Sequence, residues 1–358
     1  MLPTSIHKMR KGIIMEYRSL GRTGVQVSSL CLGAMNFGDT TPEADAYTIV
    51  DRALDAGINF IDTADVYTRG ASEEIVGRAL KRSGKRERIF LATKVHGSMD
   101  DSNILASGNN RRHIIEGCEA SLRRLQTDYI DLYQIHRPQS HVAIDELLRA
   151  MDDLIRAGKV RYIGSSTFAA WQIMESLWAS KELGLNRFIS EQPPYHLFDR
   201  SIEREIVPLA QTYGLAIMPW SPLARGFLTG RYKRGQPIPE GTRFAVDINR
   251  GSFFGERTRQ HFSDLAYAVL DVVEALANEK GVTMGQVSLA WVMRQPAITA
   301  PIVGPRTLEH LEDNLGAVDV TFSDEDYARI NTVAPREQAI VPYYGGWMQD
   351  FGPSKHRW

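Results

Sequence analysis

Short apolar runs alternate with stretches of helical period along almost the whole chain, and that alternation leaves few folds open. The runs fall at 30–33, 58–62, 89–94, 130–136, 160–165, 188–192, 214–221 and 299–304. Helical periodicity fills the gaps at 42–56, 72–82, 110–126, 144–157, 169–183, 200–213, 263–280 and 284–295, with one more helix at 307–316. Alternating strands and helices imply a parallel sheet joined by right-handed crossovers. Eight such units predict a closed (β/α)8 TIM barrel, and 358 residues suit one barrel with additions. An open doubly wound sheet would carry G-x-G-x-x-G after its first strand, where this chain reads AMNFGD. A hairpin pattern, EYRSLGRTGVQVSSL, precedes the alternation.

The expected organisation is a 1–15 extension, a single barrel over 16–334 and an irregular aromatic tail over 335–358. Met15 is an alternative start, because patterned sequence begins at Glu16. Residues 222–262 form a Gly-, Pro- and Arg-rich connection too long to be a simple turn, and such segments are commonly functional. Net charge is −1 with the basic residues dispersed, which argues against a nucleic-acid or anionic-membrane partner. No stretch approaches the roughly 20 apolar residues of a membrane span. Cys31 and Cys118 are the only cysteines and lack metal-ligand spacing, so neither a disulfide framework nor a metal site is expected. These features point to a cytoplasmic protein acting on small molecules.

Three consecutive strands end in polar residues, Asp62, Lys94 and His136, and Tyr67 follows on the loop after Asp62. In a barrel, strand C-termini line one mouth. A lysine closing a core strand is costly without a carboxylate to satisfy it, and the neighbouring strand supplies Asp62. An ammonium near a phenol favours the phenolate, which suits Tyr67 to exchange a proton with a substrate oxygen while His136 orients it. Each residue alone reads equally as a buried ion pair, a satisfied histidine or a loop tyrosine. Their joint placement favours chemistry at a carbonyl without naming the reaction.

The segments FIDTADVYTRGASEEIVGRAL, IFLATKV, DYIDLYQIHRP, VRYIGSSTF, SEQPPYHLFDR, MPWSPLARGFLTGRY and PIVGPRTLEHLEDNLGA resemble the signatures of the aldo-keto reductase superfamily, in family order. The likeness runs from about 16 to 331, and the long connection is similar to the branch holding bacterial reductases and potassium-channel β subunits. The resemblance implies reduction of an aldehyde or ketone with NADP(H) in preference to NAD(H), without metal, with Asp62, Tyr67, Lys94 and His136 as the catalytic tetrad. It implies that Ser166 and Gln192 hold the nicotinamide carboxamide and that Trp220 stacks on the ring, with Met35, Asp62 and Thr167 as further cofactor-binding residues. Ser221, Pro222, Leu223, Arg225 and Gly226 match the pyrophosphate loop, with Arg231 and Arg243 as further candidates. Gly304, Arg306, His310, Asp313 and Asn314 match the adenosine end, where a helix N-terminus near 307 suits a phosphate.

Several positions depart from the common family pattern. Thr167 and Glu191 stand where Asn is frequent, Gly304 where Lys is, and His310 where Arg or Gln is. Arg306 is then the candidate for the 2′-phosphate, since a guanidinium offers a fork of donors. Phe37, Tyr67, His136, Trp220 and Trp347 are expected to line the substrate pocket, with Tyr343 and Tyr344 as further aromatics from the tail. Two other functions remain open: an NADPH-binding regulatory subunit with slow turnover, and a barrel lyase using Lys94 as a Schiff-base amine.

Overall fold

The computed structural model describes residues 14–249 and 258–343. The first 13 residues, part of the long connection, and the tail from 344 onward, including Tyr344 and Trp347, lie outside the described residues. An antiparallel hairpin, β1 (Tyr17–Ser19) and β2 (Gln26–Ser28), opens the described chain. The sheet follows with β3 (Cys31–Gly33), β4 (Phe60–Asp62), β5 (Phe90–Val95), β6 (Ile130–Ile135), β7 (Val160–Ser166), β8 (Phe188–Gln192), β9 (Ala216–Ile217) and β10 (Ile302–Val303). Its order is β10-β3-β4-β5-β6-β7-β8-β9, all parallel. A parallel bridge from Ile217 to Ile298 and bonds from Thr299 N to Ile217 O and Ile302 N to Pro219 O, both 2.8 Å, close the sheet on itself. This is the expected (β/α)8 barrel.

The intervening helices are α1 (Glu43–Asp55), α2 (Ala71–Ser83), α3 (Arg111–Leu125), α4 (Ile144–Arg156), α5 (Ala170–Leu183) and α6 (Ile206–Tyr213). After them come α7 (Arg243–Asn249), α8 (Asp264–Lys280), α9 (Met284–Met293), α10 (Leu308–Leu315) and α11 (Asp324–Val333). Side-chain caps start several of them: Ser263 for α8, Thr283 in a capping box with Gln286 for α9, and Thr307 for α10. α4 shows why these segments dock as helices. Leu147, Leu148, Ala150, Met151 and Leu154 form one buried stripe, with acidic residues in the first turn and Arg156 in the last.

Several boundaries differ from expectation for local reasons. The runs 214–221 and 299–304 shrink to two-residue strands because Pro219 and Pro301 cannot donate to a ladder. Segment 200–213 divides into a short 3-10 turn, Ser201–Glu203, and α6, whose first turn holds Pro208. The long connection is less irregular than expected, since it contains α7. Phe227, Tyr232, Phe244 and Phe262 interlock in an aromatic cluster that anchors it. α11 was not anticipated at all.

The hairpin plugs the N-terminal mouth of the barrel. Leu20 and Val27 join Cys31, Phe60, Phe90, Leu132, Ile189 and Met218 in a separate inner core. A larger core lies between the sheet and the helices. The opposite mouth is left for polar residues. The segment after α11 returns to it, because the buried Arg200 donates to Asn331 Oδ1 and Ala334 O while its backbone N donates to Gln338 O.

Gly77 of α2 lies hard against the end of α3: a Cβ would stand 2.6 Å from the carbonyl oxygen of Arg124. Gly77→Ala forces α2 away from the end of α3 and costs about 1–3 kcal/mol. Urea denaturation should show a lower midpoint with unchanged m-value.

Candidate active site

Side chains along a strand point alternately to its two sides. In β4, β5 and β6 the inward series are Phe60 then Asp62, Phe90 then Ala92 then Lys94, and Leu132 then Gln134, leading to His136. The lower members belong to the inner apolar core. The upper members form a polar layer at the open mouth. Lys94 is fully buried, and its ammonium donates to Asp62 Oδ1 at 2.5 Å, to Thr63 O at 2.7 Å and to the Tyr67 hydroxyl at 3.3 Å. Asp62 Oδ2 accepts from Gln134 Nε2 at 3.1 Å and Gln192 Nε2 at 2.9 Å. Gln134 is a member of this network that the sequence reading passed over. The inward alternation 132, 134, 136 is the signal that could have found it.

Burial works against the Lys94 charge, but Asp62 and Tyr67 beside it outweigh that effect and hold its pKa above the ordinary lysine value. The ammonium is therefore permanent at neutral pH. The Tyr67 ring stands edge-on to His136, with centroids 5.6 Å apart. Burial first, and then the charges of Arg137 and Lys94, push His136 well below the usual histidine range. It is a neutral imidazole, able to donate one hydrogen bond. The four residues do converge at one mouth.

The loops at this mouth carry unusual backbone. Thr68 and Arg69 follow Tyr67 with φ of 49° and 51°, and Thr167, Ser221, Ala224 and Arg225 are also left-handed at 64°, 55°, 47° and 59°. Non-glycine residues rarely adopt this region, and such strain gathers where side chains must be aimed.

One cleft of about 470 Å³ opens here, within the range of ligand sites. Asp62, Tyr67, His136, Gln192, Trp220 and Met35 line its inner part. Ser221 lines it just before the long connection, Pro222, Leu223, Arg225, Gly226, Arg231 and Arg243 from within that connection, and Gly304, Arg306, His310, Asp313 and Asn314 from the end of β10 and α10. Thus residues from distant parts of the sequence share one continuous surface. Ser166 and Thr167 do not line it: Ser166 donates to Gln192 O at 2.8 Å, and Thr167 accepts from Arg137 Nη1 at 3.0 Å. Phe37 is a correction. It is fully buried in the outer core and contributes nothing to the cleft, because the loop after β3 turns it inward. Arg137, Pro194, His196, His261 and Val341 line the cleft and were not foreseen, whereas Tyr343 lines it and packs edge-on to Trp220 at 4.8 Å.

The cleft has the make-up of a dinucleotide site. Four arginines and two histidines line its long-connection and α10 side, and the buried Trp220 Nε1 has no hydrogen-bond partner among the described residues. Gly226 and Gly304 leave the wall open where a side chain would narrow it.

Behind Thr167 lies Glu191, fully buried, bonded by Ser165 Oγ at 2.5 Å and by the Phe168 N–H at 3.1 Å. Burial raises its pKa from 4.5 to about 8, so the fold holds a proton that the unfolded chain releases. Stability attributable to this group therefore falls as pH rises from about 4.5 to about 8. Glu191→Gln copies the protonated form. Thermal melts should show the variant gaining on the parent between pH 5 and pH 9, by several degrees on the order of 2–4 °C per kcal/mol.

The fold agrees with what the chain is similar to. The family model described as aldo/keto reductase matches residues 29–335. The uncharacterized oxidoreductase YrpG of Bacillus subtilis is 38% identical over 345 residues, covering 93% of this chain and 100% of the relative. A probable voltage-gated potassium channel subunit beta of Arabidopsis thaliana is 37% identical, over 86% of this chain and 92% of its own length. Versiconal hemiacetal acetate reductase of Aspergillus parasiticus is 36% identical, over 87% and 95%. A match across nearly the whole barrel, with relatives this similar along their full lengths, means that the chain belongs to the aldo/keto reductase family.

Proposed function

We propose that this protein is an NADP(H)-dependent carbonyl reductase, converting an aldehyde or ketone to an alcohol reversibly. The observation that carries the reading is the Lys94 ammonium, bonded at once to Asp62 and to the hydroxyl of Tyr67 at the lip of a cleft sized for a dinucleotide. A dihydronicotinamide cofactor held in the cleft would supply the hydride that reduces the carbonyl carbon. Tyr67 gives its proton to the carbonyl oxygen as negative charge develops there, and Lys94 stabilises the phenolate left behind. Asp62 keeps Lys94 charged and in place. His136, neutral and edge-on to Tyr67, donates a hydrogen bond to the same oxygen and fixes its direction. Running backwards, Tyr67 takes the proton from an alcohol.

Gln192 and Trp220 would hold the nicotinamide end of the cofactor, and Arg225, Arg231 and Arg243 its diphosphate. Arg306 and His310, at the start of α10, would meet the adenosine phosphate. Burial and the nearby charges of Arg231 and Arg306 lower the proton affinity of His310, which leaves the arginines as the cations there.

A second reading draws on the potassium-channel relatives: a nucleotide-binding regulatory subunit that turns over slowly. The aromatic cluster that ties the long connection over the cleft favours slow cofactor exchange. Fast hydride transfer in the first turnover followed by much slower later ones would support it, and equal rates would exclude it.

Tyr67→Phe should lower turnover of a simple aldehyde by about 10²–10⁴-fold, the contribution of a positioned acid, while NADPH still quenches tryptophan fluorescence. Undiminished turnover would overturn the proposal. Arg306→Ala should weaken NADPH by about 10–100-fold, as expected for a lost charged hydrogen bond, with a much smaller change for NADH. Titration of both cofactors into the variant measures the difference.

A further inference from the structure

The loop that carries Tyr67 is weakly held by its own bonds. Thr68 and Arg69 are left-handed, and the backbone bonds from Tyr67 N to Ala64 O and from Arg69 N to Val66 O are both 3.2 Å long. Thr68 Oγ1 reaches Phe37 O at 3.3 Å, and the ion pair of Arg69 with Asp101 is exposed, where such pairs contribute little. Strained backbone persists only where its surroundings over-determine it. The short bonds lie just beyond the loop, at the start of α2. Glu73, the third residue of that helix, is fully buried. Its Oε1 accepts from Thr93 Oγ1 at 2.6 Å and its Oε2 from Arg124 Nε at 2.6 Å.

Both partners lead back to the reacting groups. Thr93 precedes Lys94 on β5, so its side chain leaves the outer face of the strand while Lys94 enters the mouth. Arg124, in the last turn of α3, packs over the loop: at Gly70, where φ is 94°, a Cβ would stand 2.7 Å from Arg124 Cδ. Ser72 adds a second tie, since its Oγ donates to Ala34 O and is bonded by Thr63 Oγ1, each at 2.8 Å. One carboxylate thus joins the strand that delivers the ammonium to the exit of the loop that delivers the phenol. Asp65, buried at the loop's entry, has no such partners. Its Oδ1 accepts from the adjacent Val66 N–H, and its Oδ2 has no hydrogen-bond partner among the described residues. Burial, and then the charge of Glu73, raise its pKa from 3.8 to about 7.

We infer that Glu73 is a positioning residue: its carboxylate, bridging Thr93 and Arg124, sets the distance between the Lys94 ammonium and the Tyr67 hydroxyl, which is 3.3 Å. Glu73 does not line the cleft and acts through those two side chains. Proton transfer from Tyr67 leaves a phenolate, and the ammonium stabilises it more strongly the closer it stands. This inference rests on the carbonyl reductase reading. It adds to that reading a residue outside the cleft that governs the proton-transfer step.

The test follows NADPH oxidation in the first turnover with 4-nitrobenzaldehyde at pH 6, where Asp65 is protonated. The full-length parent is compared with Glu73→Gln, Thr93→Val and the double variant. Each is run in H2O and in D2O, which gives a rate constant and a solvent isotope effect. Neither depends on how much of the protein is folded. In Glu73→Gln the rate constant should fall by about 10–100-fold, as a displacement of under about 1 Å at reacting atoms can cost. The solvent isotope effect should rise above the parent's as proton transfer becomes limiting, while KM for the aldehyde and the affinity for NADPH change little. Thr93→Val keeps the pair of Glu73 with Arg124 and cuts only the bond towards β5, so it should show the same signature with a smaller loss. The double variant should lose little more than Glu73→Gln alone, because both changes cut one link.

A parent that reduces the aldehyde, with both single variants keeping its rate constant and isotope effect, overturns the inference and leaves the proposed function standing. A loss confined to melting temperature or to NADPH affinity does the same, because Glu73 then supports only the fold or the cleft. Losses that multiply in the double variant also overturn it, since Thr93 and Glu73 would then act separately. Failure of the parent to reduce any aldehyde or ketone with either cofactor takes both readings down. Should Glu73→Gln fail to fold once Arg124 loses its carboxylate, Thr93→Val, with that ion pair intact, decides the matter.

Discussion

A fully buried ammonium against a carboxylate, Lys94 on Asp62, is the contact around which the open mouth of this barrel is organised. Taking both charges out of water is costly, and attraction repays that cost only where every remaining donor and acceptor is satisfied. The barrel supplies those partners from three directions: Thr63 and Tyr67 from the loop after β4, Gln134 from β6, and Gln192 from β8. Removing either charge would strand the other at a cost of about 3–5 kcal/mol. The pair thus constrains strand register as much as chemistry. A slip of one residue in β5 would turn Lys94 outward into the helix layer.

The same layer shows how burial sorts charge at one mouth. Lys94 stays cationic because Asp62 is beside it. His136 and Glu191, buried without an opposite charge of comparable strength, are held neutral. A charged imidazole would repel Lys94 and Arg137. Backbone strain completes the arrangement. The left-handed turns at Thr68, Arg69 and Thr167 aim Tyr67 and the β7 loop, and the rigid barrel below them holds that strain.

The barrel was legible because its signal repeats. Eight apolar runs separated by helical period can be miscounted by one without changing the fold, and polar residues at three successive strand ends share a mouth whatever their exact boundaries. Single positions were harder. Phe37 looked like a pocket aromatic because sequence places it beside the first strand end, but its direction depends on the turn it occupies. Gln134 sits inside an apolar strand, and only its inward parity marks it. Arg137 was hidden by the stronger signal of its neighbour His136. α7 is hard to read because it depends on tertiary aromatic packing, whereas the shortened strands follow locally from Pro219 and Pro301.

Apart from the hairpin that plugs the opposite mouth, three additions to the barrel gather on the side of the cleft. The long connection, the loop after β8 and the segment returning after α11 meet there, and each is fixed by buried groups: Phe227 with Tyr232 and Phe244, Arg200 with Asn331 and Ala334, and Tyr343, whose backbone N donates to Asp199 Oδ2 at 2.6 Å. Tyr343 also carries its ring against Trp220. The indole therefore receives the tail on its edge and a guanidinium within reach of its ring, so that a change in the tail is felt by the wall a substrate would touch. The Lys94–Asp62 layer, locked by strand register, has no such freedom. The proposed chemistry would thus sit where the fold is least adjustable, and the cleft wall where three loops can be altered without disturbing a single strand.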